Sequence, residues 1–394
     1  MQVFLTQIQF FVWAYKITDI TEDKFMRIGL LGFGVVGRGV YDIVADRDDI
    51  EVVRVCCLED VTLPDAVVTK DFKDILEDDT IDTVVEAMGG VHPAYEFVRA
   101  AMEAGKHIVT SNKALVTTCY DELIPLAMEK GLKFRCTAAV GGGIGWLSEL
   151  ERARRVQTFH QVGGIMNGTC NYILDNMTRK GLDYNVVLKE AQALGYAEAN
   201  PSTDVDGIDT WHKVILSTNI AFGVSLNRDQ VPVAGISKIT AADVENFKAH
   251  GRVCKLISTG KKADGKFSVY VHPTLVAEGS LEAAVPMNYN LITLVGETSG
   301  RMSFYGQGAG RYPTAYNVVQ DLVDLLEDKG FYSVYGEKTD VDNSECLTWY
   351  VRGDWKGDVK ETWGDAVIAG PVSVADMHSW RKENPEAFIA ALAE

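Results

Sequence analysis

The chain is short of cations. Its 394 residues hold 38 Lys and Arg against 55 Asp and Glu, a formal net charge of −17. Nucleic-acid binding by phosphate neutralisation needs the opposite balance, and so does docking on anionic membrane surfaces. The charge does not name a substrate, because it reports on solubility and steering. Disulfide and zinc patterns are also missing. The seven cysteines, at 56, 57, 119, 136, 170, 254 and 346, are odd in number and none is spaced CxxC. This predicts a reducing, cytoplasmic setting. The apolar stretch 3–15 contains Thr6, Gln7 and Gln9. It falls short of the ~20 residues that span a bilayer, and it lacks the basic start of a signal peptide. Residues 1–25 read as an N-terminal extension, either an added strand or a leader before a start at Met26. Internal repeats and low-complexity tracts are absent. What remains is an ordinary globular composition, 47% apolar and 24% charged, at a length that suggests two or three domains.

From Met26 onward, strands and helices alternate. Residues 27–31 form an apolar run suited to a strand buried on both faces. A helix over 39–45 and a Val- and Cys-rich strand over 51–58 follow. Further strands are expected at 83–87, 107–110 and 132–139, with a helix at 94–104. The alternation predicts an α/β protein with a Rossmann-type doubly wound parallel sheet over 26–139. Residues 140–300 read as an α+β domain, with helices at 183–194 and 209–221 and a half-exposed strand at 267–275. Residues 314–327 form an amphipathic helix, with Val318, Val319, Leu322 and Leu325 at helical spacing. After 336 there are strand-like runs at 347–351 and 366–372, then a helical tail.

The first chemical signal is Gly32-Phe33-Gly34-Val35-Val36-Gly37. Alone, a GxGxxG is most often an ordinary turn. Here it follows a strand and opens a helix. Gly32 makes the tight turn, Gly34 lets the backbone approach a pyrophosphate, and Gly37 lets helix and strand pack. The helix N-terminus offers free N–H groups and a partial positive charge. The second strand ends at Glu59, 22 residues after Gly37. An acid there binds ribose hydroxyls and repels the extra phosphate of NADP, so NAD is the expected cofactor, with NADP possible. The plain alternative is a solvated Glu59-Asp60 loop.

Ligands of open parallel sheets lie beyond the carboxyl ends of the strands. Met88-Gly89-Gly90 stands at one such end and can pass close to a nicotinamide. Lys113 stands at another, after Thr110-Ser111-Asn112. A loop lysine is commonly a solvated surface residue, and its place at a strand end favours function. Residues 198–213 hold four carboxylates, Glu198, Asp204, Asp206 and Asp209, together with Lys213. Asp209 and Lys213 are four apart and share a helix face. An exposed pair of this kind contributes only about 0.3–0.5 kcal/mol. Ile208, Trp211, Val214, Ile215 and Leu216 flank this pair, so the helix reads as buried. Buried charges need partners or a wet pocket, and a pocket for a zwitterionic substrate supplies both.

Seven segments carry a resemblance: GFGVVGRGV, EAMGG, AGKHIVTSNKAL, AVGGGI, GIMNGTCNYIL, AQALGYAEANPSTDVDGIDTWHK and FYGQGAGRYPTAYNVVQDL. They run in this order between Met26 and Val323, and with them the chain resembles the homoserine dehydrogenases. The resemblance implies reversible reduction of L-aspartate 4-semialdehyde to L-homoserine by a nicotinamide cofactor, on the route to threonine, methionine and isoleucine. It implies Lys213 as the acid/base and Asp209 beside the reacting oxygen. Lys113 would lie between cofactor and substrate as binding and electrostatic support. Glu198 would bind the substrate amino group. Asp204, Thr169 and Tyr196 would join it at the substrate. Gly310, within Gly308-Ala309-Gly310, would touch the cofactor where residues 301–335 return to the dinucleotide domain. Residues 140–300 would bind substrate and build a homodimer. Sequence alone leaves both lysines as plausible proton donors.

The chain departs from the family at several points. Gly145 stands where proline usually follows GGGI, and Thr137 where a glutamate often opens the AVGGG segment, so no metal site is assigned. Asn200 replaces the usual aspartate. Trp211-His212 fills a place more often held by a smaller residue followed by Arg or His. Trp211 reads either as core or as a change in pocket shape. These departures leave room for a relative acting on another amino-acid semialdehyde or hydroxy amino acid, or for a non-catalytic dinucleotide-binding sensor. Residues 336–394 supply too few strands for a complete βαββαβ regulatory ACT module. They read as a C-terminal extension, and no threonine feedback through such a module is expected.

Overall fold

A computed structural model describes residues 25–329 and 335–393. The apolar stretch 3–15 and nearly all of the N-terminal extension lie outside the described residues.

Six strands form the first sheet: β1 (Met26–Leu31), β2 (Ile50–Cys56), β3 (Val67–Thr69), β4 (Thr83–Glu86), β5 (His107–Thr110) and β6 (Phe134–Arg135). Every pair is parallel and the order is β3-β2-β1-β4-β5-β6. That is the doubly wound order, with its switch point beside β1 and β4. Helices cover both faces, so β1 and β4 are buried almost throughout. The first helix begins at Val35 and not at 39. Gly37 and Gly39 are helical because space, not turn geometry, requires glycine there. A Cβ at Gly37 would lie 2.2 Å from the Gly32 carbonyl oxygen, and one at Gly39 2.8 Å from Ala315 Cβ. The strand expected at 132–139 shortens to β6, and Thr137–Ala139 turns into a 3₁₀ helix.

The second sheet has nine strands. In chain order the remaining strands are β7 (Phe159–Ile165), β8 (Ser225–Leu226), β9 (Arg252–Ala263), β10 (Lys266–Ala277), β11 (Tyr289–Gly296), β12 (Gly300–Gln307), β13 (Lys338–Thr339), β14 (Cys346–Arg352), β15 (Val359–Trp363), β16 (Ala366–Ser373) and β17 (Phe388–Leu392). The order is β12-β11-β7-β9-β10-β17-β14-β16-β15, while β8 and β13 form a separate parallel ribbon.

Three expectations change here. The 267–275 run is not half-exposed: β10 is buried along all but its end residues, because β9 and β17 flank it and both faces are covered. β12 belongs to the second sheet, so the chain returns to the first layer at Arg311, later than residue 301. The C-terminal part adds four strands to the second sheet, twice the number expected. β15, with sequence VKETW, is an exposed edge strand without apolar alternation. The tail ends in β17, whose run FIAAL reads as helix by propensity and is overridden by pairing with β10 and β14. Among the described residues this part holds one helix, Val374–Glu383, between β16 and β17.

Two helices join the layers. The Ile208–Phe222 helix puts Leu216, Ile220 and Ala221 into the core around the first sheet, and Val214 and Ile215 into the core of the second. The Arg311–Leu326 helix packs Ala315, Val318 and Leu322 against Val40 and Val44. Arg135 on β6, 2% exposed, ties the Arg311–Leu326 helix to Glu151 and the first sheet. It binds Glu151 at 2.9 Å and Asp324 at 3.2 Å, and also binds Asp321. Thr137, the departure from the family pattern, donates its hydroxyl to Asp321 at 2.6 Å and its N–H at 2.9 Å.

Candidate active site

The glycine loop has the geometry a dinucleotide needs. Gly32 has φ +90°, and a Cβ on it would meet the Ala87 carbonyl oxygen at 2.7 Å. A Cβ on Gly34 would have no atom within 4 Å, so its backbone is open to a ligand. The Val35–Val44 helix starts there with no side-chain cap, which leaves its first N–H groups to an anion. These features fit a pyrophosphate. Phe33 is buried beneath Arg38, whose guanidinium lies 4.6 Å from the ring centre. Arg38 in turn pairs with Glu59.

Between the two sheets lies a cleft of about 680 Å³. Val35, Val36 and Lys113 line it from the first layer. Thr169, Tyr196, Glu198 and Asp204 line it from the second, with Gly310 where the chain returns. Asp209 and Lys213 form its inner wall.

The inner wall is a chain of charges. Asp209 Oδ2 binds Lys213 Nζ at 2.7 Å, and Asp209 Oδ1 binds Lys113 Nζ at 3.1 Å. Lys213 also donates to the Met166 carbonyl at 2.7 Å. Two of its three N–H donors are thus used and one is left for a ligand. Asn167 caps the Gly168–Lys180 helix and donates to Asp204 and Asp209, both at 2.8 Å. Burial opposes ionisation of Asp209, but the two ammonium groups prevail and hold its carboxyl well below the usual range. The same contact raises the Lys113 pKa, against the effect of its burial. Asp204 moves the other way: burial raises its pKa despite the Asn167 hydrogen bond. Thr169 donates to the Tyr196 carbonyl at 2.5 Å, which fixes one side wall.

Two family descriptions match this chain: "Homoserine dehydrogenase" over residues 146–323, and "Homoserine dehydrogenase, NAD binding domain" over residues 32–137. A homoserine dehydrogenase of Bacillus subtilis is 37% identical over 319 residues, covering 77% of this chain and 74% of that protein. The chain belongs to the homoserine dehydrogenase family. The crystal structure of a homoserine dehydrogenase from Thiobacillus denitrificans superposes with a TM-score of 0.83 at 29% identity, over 94% of this chain and 98% of that one. A hyperthermophilic archaeal homoserine dehydrogenase mutant in complex with NADPH shares the fold at 22% identity. Its TM-score is 0.67, over 77% of this chain and 98% of that one.

Within this homoserine dehydrogenase scaffold, some sequence-predicted site residues lie apart from the cleft. Gly32 is the turn glycine beneath the loop, and Gly37 is a packing glycine. Glu59, Met88 and Gly89 are at the strand ends beyond the cleft's lining. Trp211 is a core residue: it is half-buried on the second core and donates Nε1–H to the Val231 carbonyl at 2.8 Å. Burial, with Lys113 nearby, brings the His212 pKa down to about 4, so its imidazole is neutral at neutral pH. Sequence reasoning missed Arg38 beside Glu59, Asn288 on the cleft wall, and Glu86 at the end of β4. The signal for Glu86 is a carboxylate closing an otherwise apolar buried strand.

Proposed function

We propose that the cleft interconverts L-aspartate 4-semialdehyde and L-homoserine, with Lys213 as the proton donor and acceptor. The observation that carries this reading is the Lys213 ammonium: buried, tied to Asp209 and the Met166 carbonyl, with one N–H left at the cleft wall. A bound nicotinamide dinucleotide supplies the hydride in one direction and accepts it in the other. Lys213 gives a proton to the aldehyde oxygen as negative charge develops there, and takes it back from the alcohol in oxidation. Asp209 holds Lys213 in place. Lys113 brings a second positive charge to the same carboxylate, and exclusion of water strengthens both effects. Glu198 and Asp204 receive the substrate ammonium group at the rim. Thr169 and Tyr196 shape the wall, and Gly310 meets the cofactor at the return segment.

The glycine loop, Met88-Gly89 and Glu59 take the dinucleotide, with NAD preferred because an acid at the end of the second strand would bind ribose hydroxyls and repel a 2′-phosphate. The protein works as a homodimer in the cytoplasm, without threonine feedback through an ACT module. The test is spectrophotometric oxidation of L-homoserine with NAD and then with NADP. Turnover with L-homoserine, and a higher kcat/KM with NAD, is the expected result. No turnover with either dinucleotide overturns the substrate reading. Turnover of another hydroxy amino acid in its place moves the reaction to that substrate.

A further inference from the structure

Glu86 ends β4 with its side chain completely buried. Its carboxylate is surrounded by donors. The Thr110 hydroxyl donates to Oε2 at 2.5 Å, the Met88 N–H to Oε1 at 2.8 Å, and Asn112 Nδ2 to Oε1 at 3.3 Å. Asn112 Nδ2 also donates to the Gly90 carbonyl at 2.6 Å, and the Asn112 N–H donates to Thr110 Oγ1 at 2.9 Å. Asn112 Oδ1 then accepts from Leu115 N–H at 3.1 Å and caps the helix whose first residue is Lys113. Burial raises the Glu86 pKa, while these bonds and one from the Gly89 backbone oppose the rise.

We propose that Glu86 is a positioning residue that locks the Met88-Gly89-Gly90 loop and the Lys113 helix into one unit through Asn112. The inference rests on the homoserine dehydrogenase reading of the cleft. A buried carboxylate is costly unless fully bonded, and an apolar residue would otherwise suit this strand end. Its bonds reach the two segments that flank the nicotinamide and the second lysine in that reading. Misplacement of such groups by a fraction of an ångström is enough to slow chemistry.

The test uses three variants of the full chain. Glu86→Gln keeps an acceptor for Met88 and Asn112, and its amide can donate to Thr110 Oγ1. Glu86→Ala removes every acceptor. Asn112→Ser keeps a good helix cap and breaks the bridge. Each is measured for Kd of NADH by protein fluorescence, for kcat and KM with L-homoserine, and for Tm. Glu86→Ala should raise the Kd about fivefold and lower kcat at least about tenfold, whereas Glu86→Gln stays within about threefold on both. Asn112→Ser should lower kcat by about tenfold with KM nearly unchanged, and lower Tm only by what loss of its two Nδ2 bonds costs. The proposal is overturned if folded Glu86→Ala matches the parent protein. It is also overturned if Glu86→Gln is as impaired as Glu86→Ala, since charge and not hydrogen-bond acceptance would then be responsible. Should Glu86→Ala fail to fold, Asn112→Ser decides by its kcat alone. A parent protein that binds NADH but does not oxidise homoserine sinks the substrate reading, while the NADH Kd of the Glu86 variants still judges the proposal.

Discussion

Asp209 and Lys213 stand one helical turn apart, 2.7 Å from Oδ2 to Nζ, with each side chain only 8% exposed. The spacing is helical, but the helix does not explain the burial. The burial comes from wedging the Ile208–Phe222 helix between two cores. Lys113 reaches the other oxygen of Asp209 from the opposite layer and is more exposed, at 34%. The inner lysine is the better placed proton donor. Lys213→Met should lower kcat by about 10²- to 10⁴-fold and leave dinucleotide Kd unchanged. Lys113→Met should cost less in kcat and more in KM. If Lys113→Met abolishes turnover and Lys213→Met leaves it near normal, the two roles are reversed.

Gly34 and Gly37 separate cofactor binding from folding. A Cβ at Gly34 would meet nothing in the protein, whereas one at Gly37 would sit 2.2 Å from the Gly32 carbonyl oxygen. Gly34→Ala should therefore leave Tm nearly unchanged and weaken dinucleotide binding, because the added methyl group takes pyrophosphate space. Gly37→Ala should destabilise the fold by about 1–3 kcal/mol, as overpacking does. Urea denaturation and NADH titration on both variants check this. Equal losses of stability would remove the distinction.

Five of the six strands of the first sheet, the glycine loop and the Asp209–Lys213 pair were legible in the sequence because each follows from local spacing; the three-residue β3 was not. Strand–turn–helix periodicity and an i,i+4 pair need no tertiary knowledge. Of the C-terminal strands, β14 and β16 were legible as apolar runs, and β15 and β17 were not. β15 carries no apolar alternation, and β17 has a run of helix formers, so only pairing across the second sheet makes either a strand. The role of Glu86 was hidden for a similar reason: the carboxylate at a buried strand end is visible, but its partners Thr110 and Asn112 lie 24 and 26 residues away. Glu59 was legible as an acid at a strand end, but the arginine that neutralises it was not, since Arg38 reads as one more surface residue of a helix.

The Arg38–Glu59 pair bears on cofactor choice. Glu59 alone would repel a 2′-phosphate, yet a guanidinium already sits on its carboxylate. Arginine is well suited to phosphate. Glu59→Gln should free Arg38 and move the kcat/KM ratio toward NADP by about two- to fivefold, the scale of an exposed charge pair. Arg38→Ala should move it toward NAD. Paired kinetics with both dinucleotides read the ratio. A ratio unmoved by either change would place the discrimination elsewhere.

Lys255 gives the protein a pH-dependent stability that touches the substrate wall. It is fully buried on β9 and donates to Asn171 Oδ1 at 2.9 Å and to the Val285 carbonyl at 2.8 Å. Asn171 donates in turn to the Met287 carbonyl at 2.8 Å, and Asn288 next to it lines the cleft. Burial brings the Lys255 pKa down to about 8, with Asp175 opposing the fall. The unfolded chain titrates near an ordinary lysine value of about 10.4. Below about pH 8 both states are protonated and the folded state bears the full cost of the buried charge. Between about pH 8 and pH 10.4 the unfolded chain binds more protons, so stability contributed by this site rises with pH. The complete gain is on the order of 3 kcal/mol. Lys255→Met removes the titrating group and leaves a pH-independent loss of hydrogen bonds. The difference in unfolding free energy between parent and variant, measured in urea from about pH 7 to pH 10, should therefore grow with pH. A flat difference would mean that Lys255 does not titrate in this window.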